Sequence, residues 1–213
     1  MTARRTAGIP ARTGPMTPPD GVSRDGHAAP VRLDPAITGA LAHLTIADIA
    51  RLSRTATEPE LLERAWSLAG TLVRDAGLGS RARCCRLEIA GAAGVYVRYF
   101  LPPVSWTLVG SEVEIDDGRL DLVWATEGAV LYDELKLTAG HGLPTGEGPT
   151  RRQAARYSVH GSATYGERFA GVRLVLLGAP RHSQLIGPGA ALQRLIDTPF
   201  WFALGRTAKE ATR

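Results

Sequence analysis

Apolar residues first fall into helical register near Asp34, where Leu41, Leu44, Ile46, Ile49 and Leu52 recur at helix spacing. A second amphipathic stretch runs from Glu58 to Asp75 through Leu62, Trp66, Ala69 and Val73, and Gly77 and Gly79 end it. Between Arg81 and Leu101 two patterns compete. The alanine content favours helix, whereas Val95-Tyr96-Val97-Arg98-Tyr99-Phe100 would serve as a strand, and Pro102-Pro103 stops either one. The pattern then changes period. Trp106 to Ile115 reads as a strand, Asp116-Asp117-Gly118 as a tight turn and Arg119 to Ala125 as a second strand. After the turn Thr126-Glu127-Gly128, a third strand spans Ala129 to Thr138, completing a meander. A Gly/Pro-rich loop over 139–149 leads to a helix from about Thr150 to Tyr165. Val172 to Leu177 is wholly apolar between Gly171 and Gly178, as a buried strand would be. A helix over Ala190 to Ile196 and the cluster Pro199-Phe200-Trp201-Phe202 follow, the latter suited to core closure or to docking a protein. Helix, three strands, helix, strand make a mixed α/β layout whose sheet needs cover on both faces.

Composition narrows the class. The 213 residues are 44% hydrophobic, enough for one core. No apolar run approaches the roughly 20 residues that cross a bilayer, so no membrane partner is expected. Arg4 and Arg5 are followed by no apolar stretch, so no secretory signal is expected either. The two cysteines, Cys84 and Cys85, are adjacent, a poor geometry for a disulfide, and a cytoplasmic location is the expectation. Residues 1–35 are rich in Pro, Gly, Ala and Arg and too poor in apolar side chains to offset their chain entropy, which predicts a disordered tail. Residues 36–80 form an N-terminal helical region, and 81–213 hold the remaining core with a C-terminal helix.

Charge is distributed unevenly. The net charge is +4, but Glu112, Glu114, Asp116, Asp117, Asp121, Glu127, Asp133 and Glu134 are opposed only by Arg119. Arg151, Arg152, Arg156, Arg168, Arg173 and Arg181 are in turn opposed only by Glu167. An acidic cluster beside a basic one suits a metal pocket facing a phosphate-binding surface, although compensating solvated faces would give the same pattern.

The third strand carries the candidate chemistry. Strand alternation points Tyr132, Glu134 and Lys136 one way and Asp133, Leu135 and Leu137 the other. An acid and a base are thereby set on one face of a strand with apolar flanks, where charge must pair or bind an ion. Asp121 lies in the preceding strand. Two carboxylates with a backbone carbonyl and water suit Mg²⁺ or Mn²⁺. Gln153 and Tyr157 are four apart on the next helix and so share a face, with Arg152 and Arg156 adjacent.

Gly118-Arg119-Leu120-Asp121-Leu122-Val123-Trp124, then Leu131-Tyr132-Asp133-Glu134-Leu135-Lys136-Leu137, then Gln153-x-x-x-Tyr157 together resemble the motifs of the RecB-like branch of the PD-(D/E)xK nucleases, which includes Cas4-type exonucleases. The resemblance covers roughly residues 105–178. It implies a restriction-endonuclease-like αβββαβ core with a mixed sheet flanked by helices, and Mg²⁺- or Mn²⁺-dependent hydrolysis of DNA. It implies that Asp121, Glu134 and the Leu135 carbonyl hold the metal, that Lys136 orients the attacking water and stabilises negative charge, and that Gln153 and Tyr157 line the site and position the strand. A homodimer or a helper protein would help enclose the substrate. For the upstream ligand that many relatives add, His43 in Gly39-x-x-x-His43, Glu63, Glu88 and Glu114 all remain open. The four-cysteine iron–sulfur cluster of some relatives cannot form here.

Other chemistries lack support. The histidines His27, His43, His141, His160 and His182 have no zinc spacing, and no Gly-x-Ser-x-Gly elbow or P-loop occurs. Thr45 to Leu52 resembles the first helix of a helix-turn-helix without the recognition helix after it. The competing class is a catalytically silent domain of the same fold that binds nucleic acid or a protein. The intact Asp121, Glu134 and Lys136 argue against silence.

Overall fold

The computed structural model describes residues 35–116, 118–137 and 149–187. The expected tail and most of the 139–149 loop, Asp117 of the first turn, the Ala190–Ile196 helix and the Phe200-Trp201-Phe202 cluster lie outside the described residues.

Three helices come first: α1 Pro35–Leu52, α2 Glu58–Asp75 and α3 Ala82–Tyr99. The ambiguity before Pro102 is thus settled as helix. Residues Ile89, Ala92, Ala93, Tyr96 and Val97 recur at helical spacing and are all buried, so packing against α1 and α2 decides against the strand that β-branched and aromatic residues would permit. Pro59 stands in the first turn of α2, and the Thr57 N–H donates to the Glu60 carboxylate at 2.7 Å, fixing the start of that helix. In α1, Thr45, Ile46, Ala47, Ile49 and Ala50 are buried. That segment packs the core.

The strands are β1 Thr107–Ile115, β2 Gly118–Ala125, β3 Val130–Lys136, β4 Phe169–Leu176 and β5 Gln184–Ile186, with α4 Pro149–Tyr165 between β3 and β4. They form one sheet in the order β1-β2-β3-β4-β5. The first three run antiparallel as a meander, β4 lies parallel to β3, and β5 turns back antiparallel to β4. A parallel neighbour needs a crossover, and the helix expected near 150–165 precedes it. Sequence patterning placed every strand but β5, whose three residues are too few to show alternation.

Cover on the two faces is unequal. Leu122, Trp124, Leu131, Leu135 and Val175 pack in one apolar layer with buried residues of α1, α2 and α3. On the other, Leu120, Val123, Val130, Tyr132, Phe169 and Val172 pack with Ala154 and Tyr157 of α4. Gly161 of α4 lies so near β4 that an added Cβ would be 2.2 Å from the Phe169 ring.

Asp133 and Arg173 are register partners on β3 and β4, and both side chains are 0% exposed. Arg173 donates through Nε and Nη2 to the two Asp133 oxygens, each at 2.6 Å. Tyr96 donates its hydroxyl at 2.6 Å and Trp124 its indole N–H at 3.1 Å to the same carboxylate. This corrects the charge map drawn from sequence. Arg173 belongs to the core rather than to a phosphate-facing surface, because alternation turns it inward beside Asp133.

Candidate active site

Three elements converge where β2 and β3 part. Their ladder ends at the pair Leu122–Asp133, so Asp121 and Glu134 are the next residue on each strand. Beyond that pair the Leu135 N–H is taken not by the β2 backbone but by the Asp121 carboxylate, at 2.7 Å. The same carboxylate accepts from His43 Nδ1 of α1 at 3.1 Å. Asp121 therefore closes the end of the ladder and starts a polar cluster.

Glu134 is 2% exposed. One oxygen, Oε1, pairs with the Lys136 ammonium. The other, Oε2, is buried and has no hydrogen-bond partner. Burial first, and then the nearby Asp121 charge, push the Glu134 carboxyl up to about 7, against the opposing pull of Lys136. Glu134 and Lys136 share a face, as alternation requires. Lys136 also donates to Gln153 Oε1 at 3.4 Å.

Gln153 and Tyr157 do meet on one face of α4, but their work is internal. Gln153 Nε2 donates to the Tyr157 hydroxyl at 2.7 Å. That hydroxyl donates to the Arg119 carbonyl at 2.9 Å and accepts the Arg119 N–H at 3.3 Å. Its one proton and two lone pairs are all engaged, and the side chain is 1% exposed. Gly118 permits this approach: an added Cβ would lie 2.9 Å from the Tyr157 oxygen, and its φ of 142° disfavours other residues. Tyr157 thus ties the start of β2 to α4, and Gln153 relays that tie to Lys136. Tyr157, expected to line the site and position the strand, has its hydroxyl bonded to the Arg119 backbone and to Gln153. Arg152 and Arg156 are exposed on the same helix.

No protein-family model, curated protein or solved structure matches this chain. The weight therefore falls on the site itself.

Among the upstream candidates, only His43 reaches the cluster. Glu63 and Glu114 are exposed, Glu88 is half-buried in α3, and none joins the one group of three metal-ligating side chains among the described residues, His43, Glu112 and Asp121. Their ligand atoms lie within 4.8 Å of one another. Burial disfavours the His43 imidazolium, but Asp121 and Glu112 outweigh it and raise His43 above its ordinary value.

Glu112 is the residue that sequence reasoning missed. It lies between the register pairs Ser111–Leu122 and Val113–Leu120, hence opposite Asp121. Its φ of 53° is uncommon for a non-glycine residue. Arg119 Nε holds its other oxygen at 2.6 Å. Counting back from the Asp116–Gly118 turn would have paired it with Asp121. The positive φ, by contrast, has no sequence signal.

His43, Glu112 and Asp121 are placed so that they could hold a metal ion. Two carboxylates repel each other in a desolvated pocket unless a cation lies near both, and the orphan Oε2 of Glu134 is a buried acceptor lacking a donor. Glu134 lies outside the His43, Glu112 and Asp121 group and adjoins it through Asp121.

Proposed function

We propose that this chain is a metal-dependent nuclease that hydrolyses phosphodiester bonds, with DNA as its substrate. The observation that carries the reading is the buried, half-partnered Glu134 beside Asp121 and Lys136. The order of helix, three antiparallel strands, helix and returning parallel strand supports a restriction-endonuclease-like core.

Asp121, Glu134 and the Leu135 carbonyl would hold Mg²⁺ or Mn²⁺, with His43 completing the set. The chemistry supplied there would be polarisation of a phosphoryl oxygen and a lowered pKa of bound water. The chain's own residues supply the remainder. Lys136, kept in place by Gln153, puts a positive charge where negative charge develops on the phosphate, in a site where burial strengthens the interaction. Arg152 and Arg156, exposed on α4, face solvent where flanking phosphates would pass.

The test is an incubation of the full chain with linear duplex, single-stranded and branched DNA and with RNA, under Mg²⁺ or Mn²⁺. Cleavage of DNA is expected, falling roughly a hundredfold or more in Lys136→Ala and Asp121→Ala, as when a group that stabilises the transition state is removed. Failure to cut any substrate with either ion would sink the enzyme reading and leave a silent nucleic-acid- or protein-binding domain. Equal cleavage by Lys136→Ala would show that the site is misassigned.

A further inference from the structure

A second feature lies on the helical layer, in a groove of about 680 Å³ between α2 and α3. Trp66, Gly70 and Arg74 line it from α2, and Arg83, Arg86 and Leu87 from α3. Three of these are arginines and no carboxylate lines the groove. Trp66 is 43% exposed, unusual for so large an apolar side chain.

Arg86 is not a loose surface cation. Its guanidinium carbon lies 4.0 Å above the Trp66 ring, within cation–π range. Nε donates to the Trp66 carbonyl at 3.1 Å. Gly70 leaves the space for it, since a Cβ there would lie 2.9 Å from Arg86 Nε and Cζ. One edge of the guanidinium is thereby fixed, and its terminal nitrogens are left as a pre-set fork of donors. Such a fork matches a phosphate bidentately. Arg74 is steadied by its bond to Thr71 Oγ1 at 3.2 Å, and Arg83 is exposed.

We infer that this groove is a second binding site for a single strand of nucleic acid, with Arg74, Arg83 and Arg86 on the phosphates and an unstacked base laid on the Trp66–Arg86 layer. Charge and shape argue for that occupant together. A lining whose charged side chains are all arginines favours a polyanion, and an indole capped by a planar guanidinium is a stacking platform of the kind single strands use. The inference deepens the nuclease reading by supplying a hold on the strand away from Asp121 and Glu134, and it rests on that reading only for the identity of the polyanion.

The experiment is fluorescence anisotropy of a labelled single-stranded oligonucleotide on the full chain, titrated over salt with divalent ions chelated so that cleavage plays no part. For Arg74→Gln/Arg83→Gln/Arg86→Gln the slope of log K against log salt should flatten by about two, at ~0.7 for each phosphate no longer neutralised. Trp66→Ala should weaken binding about 5-fold to about 150-fold at fixed salt, the range for one stacked base. Gly70→Ala separates binding from folding. It removes no charge and favours helix, yet unseats Arg86, so it should weaken binding while leaving thermal stability equal or higher. Wild-type affinity and slope in all three variants would overturn the proposal, as would poly-glutamate binding as tightly as the oligonucleotide. Cleavage that persists while the groove variants bind like wild type refutes the groove alone. Groove-dependent binding without cleavage refutes the nuclease reading alone.

Discussion

Glu134→Gln should make the protein more stable at pH 8, although it removes a proposed catalytic group. The folded chain keeps a proton on Glu134 up to about pH 7, against an ordinary value of 4.5. Between those pH values the native state carries a proton that the unfolded state has released. Stability therefore falls as pH rises through this window and stays reduced above it. The interval corresponds to about 3 kcal/mol between the two protonation states. Glutamine has no such ionisation and keeps an oxygen for Lys136. The pull of Lys136 on the carboxylate already holds that value down, so forfeiting the ion pair takes nothing further from the gain. A gain of about 3 kcal/mol follows, which for a chain of this size raises Tm by about 6–12 °C. The assay is thermal unfolding followed by circular dichroism from pH 4 to pH 8 without divalent ions. Near pH 4 the two proteins should converge, because Glu134 is then protonated in both states. Adding Mn²⁺ at pH 8 should raise the wild-type Tm and leave Glu134→Gln nearly unmoved. A variant less stable than wild type at pH 8, or a difference that does not change with pH, would refute the claim that burial and Asp121 strain this carboxylate.

Asp133→Ala should cost about 3–5 kcal/mol, because it strands the Arg173 guanidinium in the core, whereas Asp133→Leu/Arg173→Leu should recover only part of that loss in urea denaturation, because the Tyr96 hydroxyl and Trp124 N–H still lose their acceptor. A single variant within about 1 kcal/mol of wild type would mean that water reaches the pair. Tyr157→Phe leaves the Arg119 N–H and carbonyl without their partner, a cost of about 1–3 kcal/mol. It should also lower cleavage through the freed Gln153 and Lys136 while substrate affinity holds, and a rise in KM with kcat unchanged would instead return Tyr157 to the substrate-binding surface.

Much of this molecule was determined by residue pattern. Helical spacing placed α1, α2 and α4, period-two alternation placed the meander, and a Glu-x-Lys step on one strand fixed that Glu134 and Lys136 share a face. Those are local consequences of backbone geometry, and a sequence expresses them directly. Tertiary structure decided what depends on partners distant along the chain. It made Arg81–Tyr99 a helix because α1 and α2 offered that segment a face to bury. It turned Arg173 from an expected surface cation into the core partner of Asp133, and it spent the Tyr157 hydroxyl on the Arg119 backbone. It set His43 against Asp121, which Glu63, Glu88 and Glu114 do not reach, and brought Glu112 beside it, 69 positions later in a chain whose sequence gives those two residues no common pattern. Burial is the common reason: whether a charge faces solvent, an ion or a buried counter-charge is set by the elements packed over it.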